Sequence, residues 1–208
     1  IGEAASSEKD ILLISEPGMP SGPVAELVHQ NSQASKKDMI PLDLSSFEKE
    51  HSESMFWNSL KQMTGESSKP HDEVFQLPGA IYMQRIGGLP EHFRSSIFDY
   101  FLKERIHGSL PRIIINIDLS EGISREDMDR LKGVLLEVRI PSLRDRKEDL
   151  PAILAAFMKE SCGRYGKRVH SVSNEVLDFL FSYDWPGNYE ELRSVIDNSV
   201  LRCKSGCI

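Results

Sequence analysis

The sequence predicts an α/β fold: a three-layer sandwich on a mainly parallel, five-stranded sheet, followed by a small all-helical subdomain. Three observations predict it. Short apolar runs rich in β-branched residues alternate with stretches of helical spacing as far as residue 143. Those runs are apolar at successive positions, as strands covered on both faces must be. From residue 144 onward only helical spacing remains. The chain therefore divides at 1–143 and 144–208.

Residues 1–10 are polar and are expected to be frayed. Ile11-Leu12-Leu13-Ile14 reads as the first buried strand. Ser15 to Pro23 is dense in Pro, Gly and Ser and reads as a turn. Val24, Leu27 and Val28 then give helical spacing, and Met39-Ile40-Pro41-Leu42 reads as a second strand. Its proline cannot donate to a ladder and suits an edge. Residues 44–78 are polar with scattered apolar positions, read as a helix start and a long excursion. Gly79 to Met83 is the third strand, and Phe93, Ile97, Phe98, Phe101 and Leu102 mark the helix after it. Arg112 to Ile117 is the clearest strand. A short helix over 124–132 and a last strand over 136–140 complete the series.

In the helical subdomain, Asp145 and Glu148 have capping-box spacing ahead of Leu150, Ile153, Leu154, Phe157 and Met158. Gly163 and Gly166 are expected to end that helix. Val176, Leu177 and Leu180 mark a second helix. Leu192, Val195 and Ile196 mark a third, with Asn188 as its cap and Trp185 in the core.

Hydrophobic residues make up 39% and charged residues 27%, which excludes a wholly disordered chain. The net charge of -7 argues against direct DNA binding, which normally uses a basic surface. No apolar run approaches the ~20 residues needed to cross a bilayer, and no signal peptide is apparent at Ile1. Cys162, Cys203 and Cys207 are an odd number without zinc spacing, and the six histidines are scattered. Reduced thiols in a cytoplasm and no bound metal are the expectation.

Ser15-Glu16-Pro17-Gly18 and the residues following it through Ser32 resemble the first motif of a known family. Arg139 to Pro151 resembles that family's approach to its lid, and Tyr183-Asp184-Trp185-Pro186-Gly187-Asn188 with Glu191-Leu192-Arg193 resembles its lid signature. The family is the sigma-54 interaction domain, an AAA+ ATPase, of bacterial enhancer-binding regulators. The resemblance runs from about Ile11 to Leu201. It implies a P-loop AAA+ type core with a helical lid, within a transcriptional regulator of the response-regulator or enhancer-binding type.

The catalytic positions depart from that pattern. A phosphate-binding loop needs glycines so that backbone N–H groups can approach the phosphates, and a lysine for charge. Where the family has Gly-Lys this chain has Pro20-Ser21. The Asp-Glu pair that holds Mg²⁺ and orients water is replaced by Gln84-Arg85, a neutral amide and a permanent cation. The sensor Thr-Asn is Ile117-Asp118, and the lid arginine is Glu190. Arg125 and Arg130 lie near where the family places arginines that reach a neighbouring subunit. Glu16, Gly18 and Ser21 remain as remnants of the loop, and Met63, Thr64 and Gly65 as a remnant of the sigma-contact loop.

The expectation is a pseudo-ATPase, with no ATP or Mg²⁺ as cofactor, acting as an oligomerisation and interaction scaffold. The partners implied are the sensor and DNA-binding domains of the same regulator and the polymerase sigma factor. Self-association is expected to be weak, giving a monomer or dimer. The alternative is a sensor for a nucleotide or cyclic dinucleotide, using Arg85 and the polar 61–78 stretch. A residual ATP-driven activator is the third reading.

Overall fold

A computed structural model describes residues 2–47, 52–64, 78–104, 111–204 and 206–207. The chain divides into two units: Ile1–Ser15 with Ser21–Ile140, and Glu16–Pro20 with Pro141–Ile208.

The first unit holds a five-stranded parallel sheet. Its strands are β1 Ile11–Ser15, β2 Met39–Asp43, β3 Ala80–Gln84, β4 Arg112–Asp118 and β5 Leu136–Arg139, in the order β2-β3-β4-β1-β5. Pro41 sits in an edge strand, where its missing N–H breaks no central ladder. The helices of this unit are α1 Gly2–Ser6, α2 Ser21–Gln30, α3 Ser52–Thr64, α4 Glu91–Glu104 and α5 Arg125–Val134.

Alternation sorts the strand residues between two faces. Leu12, Ile14, Ile81, Met83, Ile113, Ile115 and Ile117 share one core cluster with Phe56, Leu60, Phe93, Ile97, Phe98 and Leu131. Ile11, Leu13, Tyr82 and Ile114, at the intervening positions, are buried as well. Burial on both faces is why these strands read as continuous apolar runs. Each large side chain so buried contributes ~1.5–3 kcal/mol.

One expectation needs correction here, and the helix start read within 44–78 is met. Residues 2–6 form a helix with Ala4 and Ala5 buried, rather than a frayed end. Arg112 fixes it: the guanidinium donates to Ala4 O, a carbonyl that so short a helix leaves open, and at 3.0 Å to Lys9 O in the segment after it. Residues 52–64 are a helix whose Phe56 and Leu60 lie fully in the core, so this stretch belongs to the packed unit. Phe56 meets Phe47, Trp57 and Phe93 edge-on, at centroid distances of 5.0 to 5.7 Å.

The second unit is built on α6 Leu150–Tyr165, α7 Asn174–Ser182 and α8 Asn188–Arg202. Leu143, Leu150, Leu154, Leu180, Trp185, Leu192, Ile196 and Val200 form its core. Gly163 does not end α6. The helix continues to Tyr165, and Gly166 caps it in the left-handed conformation at φ 61°. The proposed capping box at Asp145 is not formed either, because residues 143–149 make a 3₁₀ turn ahead of α6. Asp145 instead accepts a hydrogen bond from the Ser142 hydroxyl. Ser173 caps α7, accepting from the Val176 N–H at 3.4 Å.

Candidate functional site

In the first unit, parallel pairing lines up the strand ends: Ser15 lies beside Asp118, and Asp43 beside Gln84. The carboxyl edge of an open α/β sheet is where such folds bind ligands. Ser21, Gln84, Arg85 and Asp118 are all in this unit, at or just beyond strand ends or at the start of α2.

Their chemistry is internal. Ser21, at the lysine position, is buried, and its hydroxyl lies 2.8 Å from the Tyr82 hydroxyl. Burial is the main cause that pushes the Tyr82 phenol above its ordinary range, so this pair stays neutral. Arg85 has φ 61°, a left-handed conformation uncommon outside glycine, and pairs with Asp43 at 3.8 Å. That pair is exposed and contributes little. Asp118 accepts from the backbone N–H and the hydroxyl of Ser120, at 2.8 and 2.7 Å, and so closes a turn.

Glu121 is a residue that sequence reasoning missed. Its Oε2 accepts from the Gly87 N–H at 3.1 Å, and burial raises its carboxyl above the usual range. A side chain at Gly87 would place its Cβ 2.2 Å from the Glu121 Cβ, so the close approach needs glycine. The Ile-Gly-Gly of residues 86–88 was the only signal in the sequence, and it marks a turn without naming the partner.

The two arginines on α5 differ. Arg125 is exposed on its first turn. Arg130 is held within its own unit, by a hydrogen bond to Asp99 and by Asp127 at 3.9 Å. Met63 and Thr64 close α3, and Gly65 lies outside the described residues, as does most of the polar 61–78 stretch.

Glu16 and Gly18 belong to the second unit. The Glu16 carboxylate receives both terminal nitrogens of Arg144, one at 2.7 Å. This bidentate, charge-assisted pair holds the Glu16 carboxyl below its usual range. A depressed carboxyl stabilises the fold above its unfolded pKa, and that contribution is lost as pH falls through the folded value. Asn188 is not the helix cap the sequence suggested. Gly187 caps α8, and the buried Asn188 side chain bridges: Nδ2 donates to Pro17 O and Oδ1 accepts from the Leu143 N–H, both at 2.8 Å. The capping role falls to Glu191, whose carboxylate accepts from the Gly187 N–H at 2.8 Å.

Residues 16–20 therefore present acceptors. Glu16 Oε, Pro17 O and Gly18 O all receive hydrogen bonds, the last from the Glu190 N–H at 3.2 Å. Pro17 and Pro20 have no N–H to give, and the Met19 N–H is turned back to Glu16 O at 3.3 Å. An anion nest requires the opposite polarity, converging donors. The second unit also carries an open apolar pocket of about 350 Å³ lined by Leu150, Leu154, Met158, Leu177, Leu180 and Phe181 among others. Its lining has no charged side chain, so it offers nothing to a phosphate. Among the described residues there is no cluster of metal-ligating side chains, and no helix long and apolar enough to cross a membrane.

Comparison with known proteins agrees with this architecture. Residues 144–208 match the AAA+ ATPase lid domain family. The chain is 28% identical over 218 residues to the alginate biosynthesis transcriptional regulatory protein AlgB of Pseudomonas syringae pv. tomato, covering 97% of this chain and 48% of AlgB. It is 25% identical to the transcriptional regulatory protein ZraR of Escherichia coli K12, covering 97% of this chain and 49% of ZraR. The chain thus spans about half the length of the curated relatives it matches. NtrX from Brucella abortus superposes with a TM-score of 0.74 at 19% identity, over 100% of this chain and 49% of NtrX. Its ATP complex superposes with a TM-score of 0.69 at 17% identity, over 98% of this chain and 47% of that one. The chain is thus similar over almost its whole length to bacterial transcriptional regulators, residues 144–208 match the AAA+ ATPase lid domain, and the fold is that of NtrX.

Proposed function

We propose that this domain serves a cytoplasmic transcriptional regulator as a scaffold for protein interaction and does not hydrolyse ATP. The observation that carries the reading is Ser21. At the position where the family has its lysine, a short neutral side chain is buried against Tyr82. No cation stands there for the β/γ-phosphates, and the preceding segment offers acceptors rather than donors. The two positions that would hold Mg²⁺ and orient water carry Gln84 and Arg85. Phosphoryl transfer depends on such positioned charges, and their joint loss leaves no route to the transition state.

Calorimetric titration of the chain with ATP, with and without Mg²⁺, is the direct test. No binding heat at millimolar ATP and no phosphate release are expected. Saturable binding or turnover would overturn the reading.

The partners that fit are the sensor and DNA-binding domains of the same regulator. Arg130 is tied to Asp99 and Asp127 of its own unit, which removes one of the two arginines that would reach across to a neighbouring nucleotide. Light scattering without nucleotide is expected to show a monomer or dimer. A stable hexamer would contradict that expectation.

A further inference from the structure

We infer that Glu16–Pro20 is a built-in strap that fixes the two signature segments of the lid, around Leu143–Arg144 and around Trp185–Glu190, in one arrangement through the chain's own groups. The inference goes beyond the scaffold reading and holds whether or not ATP binds.

Four observations support it. The strap belongs to the lid unit by its contacts, although in sequence it lies more than 120 residues away from the rest of that unit, which resumes at Pro141. Its three acceptors meet three lid donors: Arg144 on Glu16, the Asn188 amide on Pro17 O, and the Glu190 N–H on Gly18 O. Asn188 is the junction, because the same side chain that holds the strap also holds the Leu143 N–H. It is 0% exposed, so each of these polar groups would be left unpaired without the others.

The fourth observation is strain at this junction. Trp185 and Asn188 both have positive φ, 51° and 50°, three residues apart. Such conformations persist only where surrounding contacts over-determine them. Gly18 at φ 75° provides the closest contact, since a Cβ there would lie 2.1 Å from Gly187 O. The strap lies so close to Gly187 that no side chain fits at position 18.

The device therefore substitutes for a ligand. Groups that could recognise an anion, the Arg144 guanidinium above all, are already satisfied by the chain's own carboxylate. The order of the lid signature is then set by the chain's own carboxylate and carbonyls.

Amide hydrogen exchange on the full chain tests this at the Leu143 and Glu190 N–H groups, read relative to sheet amides such as Ile14. Glu16→Ala and Arg144→Ala remove side chains that are 25% and 40% exposed, so the fold survives them. Each is expected to speed exchange at both amides by about fivefold or more, as when a charge-assisted hydrogen bond is lost. The double variant should be no faster than either single one, because the two groups act as one unit. Asn188→Ala should give a larger rise, about tenfold or more. Unchanged protection in Glu16→Ala and Arg144→Ala, or additive effects in the double variant, would overturn the strap. Neither result bears on ATP hydrolysis, which calorimetry tests separately.

Discussion

Asp127→Ala is expected to destabilise the sheet-bearing unit by ~3–5 kcal/mol, the cost of stranding one member of a buried ion pair. Arg94 and Asp127 are each only 6% exposed, and Arg94 Nε donates to Asp127 Oδ2 at 3.1 Å. Without the carboxylate, the guanidinium keeps only the carbonyls of Gly87 and Leu89, at 3.4 and 3.3 Å. Both are at the long limit of hydrogen bonding and neither carries a neutralising charge. A denaturant melt followed by circular dichroism should show the midpoint fall with little change in slope. Replacing both partners with apolar residues, as Arg94→Met with Asp127→Leu, should recover most of the loss, since a removed pair strands no charge. A single variant as stable as the parent would mean that water reaches Arg94.

Trp185→Ala should cost the lid unit ~3–5 kcal/mol, as large aromatic truncations in cores do. Trp185 is 1% exposed, its indole N–H donates to Leu180 O at 2.9 Å, and its ring meets Tyr183 edge-on at 5.0 Å. Truncation opens a cavity and orphans the Leu180 carbonyl, and the positive φ at 185 stays strained because alanine keeps its Cβ. Trp185→Phe keeps most of the apolar volume and loses the hydrogen bond, so it should fall between the parent and the alanine variant. Thermal melts of the three proteins check the order. An alanine variant as stable as the parent would remove Trp185 from the core.

Much of the fold was legible because its signals are local. Apolar runs at 11–14, 81–83 and 112–117 become β1, β3 and β4, and turn residues separate them from stretches of helical period. Helix α1 was illegible for the opposite reason. Its five residues have no period to read, and its anchor, Arg112, is more than a hundred positions away. Gly163 misled because glycine costs a helix only ~1 kcal/mol, less than the packing of Phe157, Met158 and Cys162 returns. Asn188 misled because the spacing to Glu191 is that of a capping box, while the side chain was taken by Pro17 and Leu143.

The sequence by itself determined which chemistry positions 21, 84 and 85 can offer. A serine, a glutamine and an arginine at positions 21, 84 and 85 carry their charges and donors wherever the chain puts them. Only the tertiary structure decided what those residues do instead: Ser21 meets Tyr82, Arg85 meets Asp43, and Glu16 meets Arg144. Side-chain chemistry is fixed by residue type, but a partner is fixed by which distant strand end or turn folds alongside, and no local pattern encodes that pairing.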